Sequence, residues 1–167
     1  FGIIVFSSFI GIISQALSNR IEELREGKGY ISEKGHTIVF NFSKKTIPLL
    51  NELFKSYEGE KKTIVICSEY DTKDISVKIE SATNIPKNIN LIYRKGYGWQ
   101  KKIPALLDFE GASHFIILKP DQNQEYQSEN DCDNEVGKTL TSLITSKDYQ
   151  NTGGNIVAEF SSKQKQV

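Results

Sequence analysis

His36-Thr-Ile-Val-Phe-Asn-Phe42, then the turn Ser43-Lys-Lys-Thr46, then Ile47, Leu50, Leu53, Phe54 and Tyr57 at helical spacing, is the stretch that decides the fold. An unbroken β-branched and aromatic run suits a strand buried within a sheet. The periodicity after it suits a helix with one apolar face, and Pro48 falls in the first turn, where a missing N–H costs nothing. Gly59 ends that helix, and Thr63-Ile-Val-Ile-Cys67 is a second apolar run, bounded by charge and too short for a helix. A buried strand after a strand–turn–helix unit is the start of a parallel sheet.

The alternation continues outward from this unit. Thr72 to Ala82 reads as a helix closed off by Pro86, and Asn90-Leu-Ile-Tyr93 as the third strand. Trp99 to Phe109 reads as a short helix carrying Ile103, Leu106 and Leu107, and His114-Phe-Ile-Ile-Leu118 as the fourth strand, stopped by Pro120. A polar, acidic stretch from Asp121 leads into a helical face of Val136, Leu140, Leu143 and Ile144, and Asn155-Ile-Val-Ala-Glu-Phe160 is the fifth strand. Five strands with four helices between them predict an α/β fold, a Rossmann-like doubly wound parallel sheet. Its ligand crevice is expected outside the carboxyl ends of the strands.

The beginning of the chain has a different character. Residues 1–19 hold no charge, and Phe1 to Leu17 is apolar around every helical face. A helix of that length rises roughly 28 Å, close to the hydrocarbon thickness of a bilayer. Ser7, Ser8 and Ser14 can bond back to the helix or line a wet surface, while Gly2 and Gly11 permit close packing or a bend, which makes Gly11 a candidate gating hinge. A signal peptide would carry basic residues before the apolar core and a small-residue cleavage site after it, and Ser18-Asn-Arg20 supplies neither. A buried helix of a large soluble core is the competing reading. Arg20, Arg25 and Lys28 follow directly, and the positive-inside bias places the remainder of the chain in the cytoplasm. Three parts are therefore expected: a membrane-associated helix over 1–19, a helical linker over 20–35 stopped by Gly27 and Gly29, and an α/β domain over 36–167.

Composition excludes more than it selects. Among 167 residues, 21 basic side chains balance 21 acidic ones, so no net field recommends nucleic acid as a partner. Cys67 and Cys132 are too sparse for a disulfide framework or a zinc site, which points to a reducing compartment. The chain opens at Phe1 and holds no Met, so it reads as a segment of something longer.

Dinucleotide-binding folds place glycines after the first strand because only Gly lets the backbone approach a pyrophosphate at a helix N-terminus. The turn from Asn41 to Thr46 contains none, which argues against NAD or FAD in the usual pose. Ser43 and Lys44 are left as candidates for a small anion, or as simple capping residues. Glu69, after the second strand, stands where an acidic residue holds a ribose, or is a solvated strand end. Asp131-Cys-Asp-Asn-Glu135 is the densest acidic cluster, and Asp131, Asp133 and Glu135 are candidate Ca²⁺ ligands, although carboxylates at a helix start are also favoured by the helix dipole. His36 and His114 start strands without a neighbouring carboxylate or Cys and read as structural. No triad, paired-carboxylate or metal-ligand spacing calls for catalysis.

The order of these pieces resembles the CASTOR/POLLUX family of cation channels. Gly11-Ile-Ile-Ser14 followed by Ile21-Glu-Glu-Leu-Arg-Glu-Gly-Lys28 looks like that family's exit from the inner pore helix, which makes Gly11 and Ser14 gating-helix candidates. His36-Thr-Ile-Val-Phe-Asn-Phe-Ser43 is similar to its first strand, and Ala112-Ser-His-Phe-Ile-Ile-Leu118 with the acidic lead-in to a helix resembles its fourth. The resemblance implies the first of the domains that regulate K⁺ conductance (RCK), assembled as a homotetrameric gating ring beneath a pore. It implies a membrane protein, a permeating cation, control by a ligand or Ca²⁺, and no enzymatic activity. Two rivals stand beside it: a soluble nucleotide-dependent oxidoreductase, and a membrane-tethered transporter-regulatory module.

Overall fold

The computed structural model describes residue 31 and residues 33–161. Five strands form one parallel sheet: β1 (His36–Phe40), β2 (Lys62–Ser68), β3 (Ile89–Lys95), β4 (Ala112–Ile117) and β5 (Asn155–Ala158), in the spatial order β3-β2-β1-β4-β5. This is the doubly wound arrangement expected from the alternating pattern. All five residues of β1, the central strand, are buried, which its β-branched and aromatic composition requires. In register, Ile38 lies beside Val65 of β2 and Phe115 of β4.

Alternation along the strands sends side chains to two cores. Val39, Ile64 and Ile66 meet α1 (Thr46–Ser56) and α2 (Thr72–Ala82) through Leu50, Phe54, Ile75 and Ile79. Ile38, Phe40, Val65 and Phe115 face the other side. There they pack with Ile103 of α3 (Ile103–Leu106), with Phe109 of a 3₁₀ turn (Phe109–Gly111), and with Val136 and Leu143 of α4 (Glu129–Thr145). Phe40, Phe109, Phe115 and Tyr149 of α5 (Lys147–Thr152) form a chain of edge-to-face rings with centroids 6.0, 5.4 and 5.4 Å apart. Edge-to-face contact sets the positive rim of one ring against the negative face of the next, so this core has a preferred geometry beyond apolar burial.

Several expected boundaries move, each for a local reason. The first strand stops at Phe40 instead of Phe42 because Asn41 takes a left-handed φ of 66°, which ends extended backbone. The helix expected over Trp99–Phe109 is confined to Ile103–Leu106, because Trp99 is held by α4 and Asp108 turns left-handed at φ 46° before the 3₁₀ turn. The fifth strand ends at Ala158, short of Phe160. Ile144, expected on the core face of α4, is exposed, while Val136 and Leu143 carry that face. The six-residue helix α5, closed by Gly153 at φ 61°, follows α4 unannounced by any apolar period.

Both cysteines are buried: Cys67 donates to the Gly96 carbonyl at 3.5 Å, and Cys132 lies within α4. Burial pushes the Cys67 thiol up to about 12 and raises that of Cys132 as well. Because the thiolate is the reactive form, neither is expected to react with iodoacetamide at pH 8 in the folded chain, whereas both react in urea. Mass spectrometry of alkylated protein checks this.

Candidate functional site

The strand order reverses between β1 and β4, which places a crevice above their carboxyl ends. Asn41 builds its floor. This residue is 2% exposed, donates its backbone N–H to the Cys67 carbonyl at 2.8 Å, and donates Nδ2–H to the Leu118 carbonyl at 2.8 Å. It thereby ties the end of β1 to both neighbouring strands. Asn tolerates the left-handed region better than other side chains, which is why it can turn the chain here without glycine.

The turn that follows fills its own donors. Ser43 donates its N–H to Thr46 Oγ1 at 2.9 Å, Thr46 donates its N–H to the Ser43 carbonyl at 2.9 Å, and Lys45 donates its N–H to Ser43 Oγ at 3.3 Å. The N–H of Lys44 goes to Asp121 Oδ2 at 2.8 Å, and Pro48 contributes no donor. A carboxylate of the chain thus lies on the turn amide at the start of α1, the end of a helix that favours negative charge. Ser43 and Lys44 lie in the turn after β1, with Ser43 buried and the Lys44 amide engaged by Asp121.

Glu69 follows β2 at the same edge of the sheet. Its two carboxylate oxygens are shut off from water, and no other residue donates a hydrogen bond to them. Burial, with the charges of Glu125 and Glu135 behind it, raises its pKa against the opposing effect of its own backbone amide. Beside it is a cleft of about 670 Å³ whose lining includes Asp71, Lys73, Lys95, Tyr97, Gln100 and Lys102. The segment after β3 spans from this cleft to the other side of the crevice. Tyr97 donates its hydroxyl to Glu125, Trp99 donates Nε1–H to Glu135 Oε1 at 2.8 Å, and the two rings stack at 5.3 Å. Gly98 between them has no room for a side chain: a Cβ there would sit 2.3 Å from Thr139 Cγ2 and 2.9 Å from a Phe40 ring carbon, both on fully buried residues. Tyr126 completes the crevice, 5% exposed, with its hydroxyl buried and unpartnered.

The three acidic residues expected to hold Ca²⁺ go to three different partners. Asp131 closes a capping box with Ser128, accepting the Ser128 N–H at 2.9 Å. Asp133 accepts from the Ser161 N–H at 2.9 Å, and Glu135 from Trp99. Alternate residues of a helix point about 200° apart, so Asp133 leaves the face that Asp131 and Glu135 share. Among the described residues no group of three or more His, Cys, Asp or Glu side chains is placed to hold a metal ion. His36 is buried with Nδ1 2.8 Å from the Glu33 carbonyl and Nε2 2.9 Å from the Leu107 carbonyl, a structural role, while His114 is exposed. Gly11 and Ser14 lie outside the described residues, as does the whole apolar stretch 1–19. Among the described residues no helix is long and apolar enough to cross a membrane.

Sequence reasoning missed Asp121, Glu125, Tyr97 and Tyr126. One pattern was available to find the aromatic members: Tyr70, Tyr97 and Tyr126 each follow a strand, the first two at once and the third through the loop after β4.

Two buried carboxyls with raised pKa give the domain a pH dependence of definite sign. Burial raises Glu69 and Glu135 above their ordinary range. Between the unfolded and folded values the folded chain holds more protons than the unfolded one, so stability falls as pH rises through that window. Urea denaturation at pH 5, 6, 7 and 8 is expected to show a declining midpoint, and Glu69→Gln is expected to flatten the decline.

A five-stranded parallel sheet with a crevice at its switch point, and with a glycine-free turn whose amides the chain fills itself, defines a Rossmann-like α/β domain outside the standard dinucleotide pose. Its sequence is similar to ion channels. It is 28% identical over 167 residues to Ion channel CASTOR of Lotus japonicus, covering 99% of this chain and 19% of that protein. It is 25% identical over 167 residues to Probable ion channel CASTOR of Oryza sativa subsp. japonica, and 26% identical over 127 residues to Probable ion channel POLLUX of Arabidopsis thaliana. These cover 99% and 74% of this chain and 18% and 15% of those proteins. No family model matches the chain. The resemblance to the CASTOR/POLLUX channels therefore extends along the full chain, and the chain spans about a fifth of the length of the CASTOR relatives it matches.

Proposed function

We propose that the chain is the part of a cation channel where a pore helix meets its cytoplasmic regulatory domain, and that the domain passes events in the crevice to the pore. The observation that carries this reading is the continuity of sequence similarity to ion channels from the charge-free stretch 1–19 through the α/β domain. The reading includes a membrane helix over 1–19, a linker over 20–35 and an RCK-like domain from residue 36. A homotetrameric ring and control by a ligand or Ca²⁺ belong to the same proposal.

The geometry supplies a path for coupling. All strands are parallel, so the chain enters β1 at one edge of the sheet while the crevice lies at the other. At the entry edge Gly35 donates its N–H to the Gly111 carbonyl at 2.7 Å, and His36 joins Glu33 to Leu107. The incoming linker is thus fastened to the end of α3 and to the 3₁₀ turn. At the crevice edge Asn41 fastens β1 to β2 and β4. A change in the crevice reaches the linker through one short, fully buried strand, and packed, rigid elements of this kind carry coupling between sites.

The oxidoreductase reading needs a pyrophosphate on the turn after β1, and Asp121 already engages the Lys44 amide. Calorimetry of the chain with NADH is expected to show no micromolar binding. The experiment that tests the channel reading is reconstitution of the full-length protein in planar bilayers: cation-selective current that responds to Ca²⁺ on the domain side supports it, and silence under all conditions contradicts it.

A further inference from the structure

Glu69 is built into the crevice in a way that a solvated strand end or a ribose ligand does not explain. Both of its oxygens are sealed from water and reached by no other residue's donor, and Tyr126, 5% exposed, brings a further unpartnered oxygen, its hydroxyl, into the interior. Only its own backbone amide favours the ionised form, and burial outweighs that contact, because a carboxylate without a counter-charge is disfavoured there. The charges acting on it from the surrounding elements are of its own sign: Glu125 in the β4–α4 connection and Glu135 on α4. The phenols of Tyr70, Tyr97 and Tyr126 and the thiol of Cys67 are uncharged neighbours whose own ionisation is suppressed. Glu69 also lines the cleft beside it, and Lys73, Lys95 and Lys102 line the same cleft, none of them paired with Glu69 among the described residues.

We propose that Glu69 is a proton-operated switch: with its proton the side chain stays inside beside Tyr126, and without it the carboxylate turns outward to Lys73, Lys95 and Lys102. The proton leaves to bulk water, and the two positions give the same side chain a neutral, buried arrangement and a charged, ion-paired one. Burial raises the pKa, so the outward arrangement gains as pH rises. The segment from Gly96 to Gln100 spans both positions, because Tyr97 and Gln100 line the cleft while Trp99 bonds Glu135. Departure of Glu69 from the interior therefore alters the surroundings of Trp99, the single tryptophan of the chain. The inference rests on the crevice geometry and not on the channel reading. A silent bilayer leaves it standing, and a flat titration leaves the channel reading standing.

The test uses the full chain in lipid nanodiscs, labelled with ¹³C at the glutamate carboxyls and titrated from pH 4 to 9. The Glu69 resonance, assigned by its loss in Glu69→Gln, is expected to titrate above the ordinary carboxylate range, with Trp99 fluorescence changing at the same midpoint. Glu69→Gln is expected to remove the fluorescence component at the Glu69 midpoint, leaving only the component that Glu135, bonded to Trp99, contributes and that Glu135→Gln abolishes. Should the Glu69 variant fold poorly, the double variant Lys95→Ala, Lys102→Ala decides: removing the outer counter-charges is expected to move the Glu69 midpoint to higher pH. A Glu69 carboxyl that titrates in the ordinary range, a component at the Glu69 midpoint that survives in Glu69→Gln, or an unmoved Glu69 midpoint in the double variant overturns the proposal.

Discussion

Replacing Phe115 by alanine is expected to lower the unfolding free energy by about 3–5 kcal/mol, the range found when a buried aromatic ring is deleted and its cavity only partly collapses. Phe115 is fully buried at the centre of the ring chain, touching Phe109 on one side and Tyr149 on the other. Its loss removes both edge-to-face contacts and the packing that seats α5 beside β4. The Gly154 backbone also approaches closely, so that a Cβ there would meet the Phe115 ring at 2.7 Å. The deletion therefore loosens the turn into β5 as well. Urea denaturation followed by circular dichroism measures the loss, and Phe115→Leu, which keeps most of the volume, is expected to lose much less.

Asn41→Ala is the second large effect, expected at about 2–5 kcal/mol. A left-handed φ costs an alanine roughly 1–2 kcal/mol, and the abandoned Leu118 carbonyl, buried at the strand end, costs about 1–3 kcal/mol more. Asn41→Gly separates the two contributions. Glycine takes the φ of 66° freely, so only the lost hydrogen bond remains, and this variant is expected to be clearly more stable than Asn41→Ala. Equal losses in both variants would mean that the side-chain bond to β4 carries the whole effect.

Much of the fold was legible because it rests on patterns with a fixed period. The apolar runs of β1 and β2 are buried on both faces, and α2 falls on the residues its sequence suggested, Thr72–Ala82. The failures lie where a long-range contact overrides local preference. Trp99 reads as the start of a helix, but Glu135, 36 positions away, takes its indole N–H and keeps it in a turn. Phe42 reads as strand, but Asn41 turns the chain to reach Leu118. The crevice was legible as a place, from the alternation alone, and as a chemistry only in part. The absence of glycine after β1 is visible in one dimension, whereas the carboxylate that takes the turn amide there, Asp121, comes from 77 residues further along. The acidic residues of α4 lie close in sequence but not in their contacts. Residues adjacent in sequence were read as convergent, and the helix turns them to different partners.

These observations meet in one physical account. The sheet is stiff where β1 is buried on every side, and its two ends are fastened differently. His36 and Gly35 hold the incoming linker, while Asn41, Asp121 and the Tyr97–Trp99 segment hold the crevice. A domain of this build suits regulation because a change at the crevice has a short, packed route to the linker. The expected channel control is a proposal that follows from this geometry together with the similarity to ion channels.

The most direct test of that proposal is single-channel recording from the full-length protein in planar bilayers, comparing wild type with Asn41→Gly, whose lesion lies at the crevice and far in sequence from residues 1–19. The account predicts a cation current in both, with the same unit conductance and a changed open probability in the variant. Absence of current, or identical open probability in the two proteins, would contradict it.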